Sequence, residues 1–136
     1  MSANTVSRVA IVRRGDSPID EAVRKAVDLI GGISSFVRPG DRVVVKPNLA
    51  YPYPPPATTG PSVVEAVARL CVEAGGREVL VGDSSSYSCK NILGYGRWSN
   101  MDVIRSTGMD RAAERAGAKA VDFDSAKWST VTIPGA

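Results

Sequence analysis

The sequence predicts an α/β fold: a mostly parallel open sheet of about four to five strands flanked by helices. Three observations carry that expectation. Short apolar, β-branched runs recur along the chain: Val9-Ala10-Ile11-Val12, Val43-Val44-Val45 and Val79-Leu80-Val81. Between them lie segments whose apolar residues recur at helical spacing. Each run also stops abruptly at charge, with Arg13-Arg14 after the first, Lys46 after the second and Asp83 after the third. A run such as Val43–Val45, with no polar alternation, reads as a strand buried on both faces. Ligands bind at the carboxyl ends of the strands in open α/β sheets, so charge delivered there by three strands is a candidate site.

The elements follow in order. After the first strand, Ser17 is placed to cap a helix, Pro18 to occupy its first position and Asp20 to complement its dipole. Ile19, Ala22, Val23, Ala26, Val27 and Ile30 form one face of that helix, and Gly31-Gly32 ends it. The turn Arg38-Pro39-Gly40-Asp41 leads into the Lys46 strand, which Pro47 stops. Residues 49–60 hold four prolines, which exclude helix and interior strand. A connection of that length is either a substrate-facing loop or a Pro-rich surface excursion.

The second helix starts near Pro61, capped by Thr59 or Gly60, or by a Ser62–Glu65 capping box one frame later. Its buried face is Val63, Ala66, Val67, Leu70 and Ala74, with Cys71 alongside as a small core residue. Gly75-Gly76 closes it before the Asp83 strand, making a right-handed βαβ unit. Residues 84–98 are polar, Gly-rich and aromatic. Gly94-Tyr95-Gly96 neither follows a strand directly nor opens a helix with a third glycine, so it is no dinucleotide fingerprint. Short helices follow at 100–106 and 110–116, with Gly108 and Gly117 as stops. Lys119–Phe123 reads as a fourth strand, and Thr130–Ile133 begins another.

At 136 residues and 43% apolar content the chain is one domain's length with an ordinary core. The charge of +3 comes from 17 scattered basic residues, which favours a small anionic partner over nucleic acid, the latter wanting a clustered basic stripe. Tyr51, Tyr53, Tyr95 and Trp98 lack an accompanying basic-aromatic ribonucleoprotein motif. No apolar run is long enough to span a bilayer, and no signal peptide is apparent. Two cysteines, Cys71 and Cys89, give neither a disulfide framework nor a metal-ligand spacing. The expected location is the reducing cytoplasm. Histidine is absent, so a Ser-His-Asp triad, a Cys-His pair and imidazole metal ligands are all excluded within this chain.

Lys46 and Asp83 are the catalytic candidates. A lysine at a strand end can fix a phosphate or carboxylate, or act as a base. Asp83 can pair with it, accept a ligand hydroxyl or ligate a metal; the competing reading is a structural ion pair. Arg13, Asn48, Thr59, Ser84 and Ser85 are the substrate-binding candidates, with Arg14 beside Arg13. Asn48 otherwise caps the turn after Pro47. Thr58-Thr59-Gly60-Pro61 offers hydroxyls and N–H groups to an anion, or serves only as a helix cap. Cys89 reads as an ordinary loop residue.

Four blocks in order resemble the family called domain of unknown function 362: Val43 to Leu49, Thr58 to Val67, Glu78 to Ser84, then Ser106 to Met109 with Val121 to Asp124. The resemblance covers about Gly40 to Pro134. It implies an α/β fold distantly like the amino-terminal domain of the lactate-racemase family, and an association with iron–sulfur proteins. Lys46, Asn48, Thr59 and Asp83 are the positions that match the family's motifs. The family's later Lys-Thr-His segment and any Cys-x-x-Cys-x-x-Cys motif are missing here. Residues 1–136 are therefore expected to be a single α/β domain forming the amino-terminal portion of a longer one.

Two function classes follow. One is the substrate-binding half of an enzyme, redox-associated or racemase-like, acting on a small anionic compound. The other is a non-catalytic module that docks a missing carboxyl-terminal half or an iron–sulfur redox subunit. The cofactor is undetermined from these residues, and a cluster would belong to that partner or half. An incomplete domain should leave an apolar strand edge near Lys119–Phe123 or Thr130–Ile133, giving self-association.

Overall fold

The computed structural model describes residues 7–84, 98–127 and 129–132. Within them the order is α1 (Ile19–Leu29), β1 (Arg42–Val45), α2 (Pro61–Glu73), β2 (Glu78–Asp83), α3 (Asn100–Ser106), α4 (Met109–Arg115) and β3 (Lys119–Asp122). Short 3-10 turns occupy Ile33–Ser35 and Phe123–Ser125. The strands form one parallel sheet in the order β1-β2-β3. The chain steps one position in the same direction each time, so right-handed crossovers bring α2 and the α3–α4 pair to a single face.

That face is the core. Val43 stands opposite Val79, and Val45 opposite Val81, which in turn stands opposite Ala120. The row packs against Val64, Ala68 and Cys71 of α2, Val103 and Ile104 of α3, and Met109 and Ala113 of α4. Leu49, Ile104, Met109, Val81 and Val103 are the largest fully buried side chains. Each stabilises the fold by roughly 1.5–3 kcal/mol relative to exposure. Glu65 links α2 to α4, accepting Arg69 at 2.5 Å and Arg115 at 2.8 Å, while Arg24–Glu73 at 2.6 Å joins α1 to α2.

The described sheet has three strands, not four to five. Val9–Val12 lies in an irregular segment with Val9 84% and Ile11 89% exposed. Strand propensity is largely the energy of packing a pleated surface, and without a partner it decides nothing. Residues 129–132 are also irregular, and Ile133 falls outside the described residues. β1 and β3 are the terminal strands of the described sheet.

Helix α1 starts one residue late, with Pro18 as its N-cap and no side-chain cap bond. Ser17 is engaged instead in a tight turn: its N–H donates to the Arg14 carbonyl at 3.1 Å and its carbonyl accepts Arg14 Nε at 2.9 Å. Gly60 caps α2 with Pro61 at its first position. The Ser62–Glu65 box does not form, because the helix starts at Pro61 and Ser62 already lies within it; Glu65 accepts the two arginines instead. Helix α3 has the expected bounds, capped reciprocally by Ser99 and Asp102.

Cys71 is 3% exposed on α2, and burial pushes its thiol above the usual range. The thiolate is the reactive species. Native chain at pH 7.5 should therefore resist iodoacetamide at Cys71 and label fully in denaturant, read by peptide mass. Rapid native labelling would show that the α2 core opens readily.

Candidate functional site

Strands β1 and β2 run parallel, so their carboxyl ends lie side by side, and Val45 is in register with Val81. One residue past β1, Lys46 Nζ reaches Asp83 Oδ1 at 2.8 Å. The pair is asymmetric: the lysine side chain is 63% exposed and the aspartate side chain 7%. Asp83 Oδ1 also accepts the Ser84 N–H at 2.8 Å, and Oδ2 accepts the N–H of fully buried Leu49 at 3.0 Å. Three donors therefore converge on one buried carboxylate. Two of them come from the chain leaving β1, so Asp83 pins that exit against the end of β2.

The proline-rich loop is built on the same exit. Asn48 N–H donates to Thr59 Oγ1 at 2.8 Å, and Thr59 N–H donates back to the Asn48 carbonyl at 3.1 Å. Asn48 Nδ2 donates to the Ala57 carbonyl at 3.2 Å, and Thr58 Oγ1 to that of Tyr53 at 2.8 Å. Asn48 and Thr59 thus close the loop's neck and present the start of α2 beside Lys46. Tyr51 and Tyr53 stack on each other, with centroids 5.6 Å apart and 25° between planes.

Of the residues expected at the site, Lys46, Asp83, Asn48, Thr59 and Ser84 come together. Arg13 does not arrive on a strand: it is exposed on the irregular segment before α1, and Arg14 is taken into the Ser17 turn. Ser85, like Cys89 and Tyr95, lies outside the described residues.

The sequence reading missed a second layer at this edge. Asn100, 3% exposed at the start of α3, donates through Nδ2 to the Asp83 carbonyl and to Asp122 Oδ1, both at 2.6 Å. Asp122 Oδ1 also accepts the Asp124 N–H at 2.8 Å, and Ser84 Oγ donates to Asp124 Oδ1 at 2.5 Å. Asn100 therefore locks α3 across the ends of β2 and β3. The one available signal was Ser99-Asn100 ahead of an apolar run, which reads only as a helix start.

An anchored ammonium with most of its side chain exposed retains N–H donors for a further acceptor. Among the described residues no group of three or more Cys, Asp or Glu is arranged to hold a metal ion. The residues do not fit an iron–sulfur cluster: of the two cysteines, Cys71 is in the core.

A family profile described as domain of unknown function (DUF362) matches residues 43–136, the stretch that holds Lys46, Asn48, Thr59 and Asp83. A thylakoid-associated protein of Synechocystis sp. is 36% identical over 110 residues, covering 76% of this chain. The chain spans only 32% of that relative's length. No solved structure matches. No described helix is long and apolar enough to cross a membrane.

Proposed function

The chain belongs to the DUF362 family, and on that premise we propose that it is the substrate-binding half of an enzyme acting on a small anionic compound. The observation that carries this reading is the 2.8 Å contact between exposed Lys46 and buried Asp83 at the carboxyl edge of a parallel sheet. Lys46 is the group that meets the anion. Asp83 holds it in place. Asn48 and Thr59 keep the proline loop beside them, and Ser84 extends the polar rim. A redox or iron–sulfur partner is part of the proposal as a separate subunit or as a carboxyl-terminal half outside these residues, which hold only two cysteines. A reducing cytoplasmic location is likewise a proposal, supported by the unpaired thiol of Cys71.

The test is titration calorimetry with inorganic phosphate, lactate and malonate against the chain and Lys46→Ala. A hydrogen bond to a charged group contributes about 1.5–3 kcal/mol, so the variant should bind the preferred anion roughly 10- to 150-fold more weakly. Equal affinity in the two proteins would remove Lys46 from the site. No binding by the unmodified chain would leave the pair a structural one.

A second reading, a docking module for further polypeptide, is favoured by the relative's length, of which this chain matches about a third.

A further inference from the structure

Every helical residue of the core cluster packs on one face of the sheet, the face of Val43, Val45, Val79, Val81 and Ala120. Side chains alternate along a strand, so Val44, Leu80 and Val121 project from the other face. Val44 is directly opposite Leu80, and Val121 is directly opposite Gly82, over which Phe123 lies. Neither Val44, Leu80 nor Val121 belongs to the cluster under the helices. Val44 is 55% exposed, and Leu80, Val121 and Phe123 are half-buried. The result is an aliphatic strip with an aromatic end, bounded at the amino-terminal side by the Arg42–Glu78 ion pair.

All-parallel sheets occur almost entirely with both faces covered, because each face is apolar and βαβ chains lay helices on both. This sheet is all parallel and, among the described residues, has helices on one face only. We propose that the Val44–Leu80–Val121–Phe123 face is the seat of an amphipathic α-helical layer supplied by further polypeptide of the kind the longer relative carries. The occupant follows from two facts. The relative has about two-thirds of its length outside the matched stretch, and helices are what cover parallel sheets. A helix with an aliphatic stripe fits a strip two to three residues wide, and an acidic flank would face exposed Lys119 beside Leu80. This inference rests on the docking reading and is independent of the anion site.

The experiment places a thiol on the face with Val44→Cys and a control thiol on α1 with Leu29→Cys, since both positions are exposed. Maleimide labelling, resolved by peptide mass, is measured on each variant alone and with the unmatched part of the Synechocystis relative co-expressed. Sedimentation reports complex formation. Support is a complex in which the thiol at position 44 labels at least tenfold more slowly while the control thiol at position 29 is unchanged. A complex that leaves the position-44 thiol fully reactive overturns the face but keeps the docking reading. Absence of a complex overturns both. Protection of that thiol in the chain alone also overturns the proposal: when it rises with protein concentration the occupant is a second copy, and when it does not the chain covers its own face.

Discussion

Replacing Asp83 with alanine should lower the stability of the chain by about 2–4 kcal/mol, whereas Lys46→Ala should cost about 1 kcal/mol or less. The difference comes from burial, not from the bond the two residues share. Lys46 loses one ion pair and remains largely solvated. Asp83 is buried and accepts three donors, one of them the N–H of Leu49, a residue with no exposure at all. Its loss leaves that N–H without an acceptor away from water, and an unsatisfied buried donor alone costs about 1–3 kcal/mol. Asp83→Asn should recover only part of the loss, because an amide presents one acceptor oxygen where the carboxylate uses two. Urea unfolding of the three variants measures the ordering directly. An Asp83→Ala protein within about 0.5 kcal/mol of the parent, the range of an ordinary surface substitution, would mean that the exit of β1 is held by the packing of Leu49 and not by the carboxylate.

The same contrast assigns different work to the two residues. If Lys46→Ala weakens anion binding at little cost in stability, and Asp83→Ala loses both together, then Lys46 contacts the ligand and Asp83 positions it. Were the pair purely structural, the anion affinity of the unmodified chain would be nil and only the stability ordering would remain.

The pairing of Lys46 with Asp83 was legible because its signal is local. Val43–Val45 followed by Lys46-Pro47, and Val79–Val81 followed by Gly82-Asp83, mark strand ends by a change of chemistry over one or two residues. Two parallel strands joined by one helix place those ends together without further information. Val9–Val12 gave the same local signal and failed, since a strand exists only with a partner. Asn100 and Asp122 escaped for the opposite reason. Nothing near either residue indicates that a side chain at the start of α3 will donate to a carbonyl at the end of β2, 17 positions earlier. The loop neck was half legible: Asn48 and Thr59 were singled out for a ligand, and the structure engages them with each other.

Gly82 shows how tightly the end of β2 is built, and Gly82→Ala should cost about 1–3 kcal/mol, with Gly82→Val costing more. The glycine needs no unusual φ; what it needs is space. A Cβ there would meet Val121 Cγ2 at 2.8 Å and Phe123 Cε1 at 2.9 Å, and would press on the Val121 carbonyl oxygen from the neighbouring strand. The two side chains can move, but the carbonyl belongs to β3 itself. Relief therefore requires β3 to shift from β2 at the Gly82–Val121 pair, one step before Asp83 meets Asp122. Asn100 bridges those two residues with 2.6 Å bonds on both sides, so the displacement should also loosen α3. A double variant separates the causes. Phe123→Ala in the Gly82→Ala background removes the aromatic obstacle and leaves the backbone one, so most of the destabilisation should persist. Hydrogen exchange should show faster opening of α3 and β3 in both proteins, with α1 and the amino-terminal half of α2 unchanged. Full rescue by Phe123→Ala would place the whole constraint on the side chain and leave the β2–β3 spacing free to accept a methyl group.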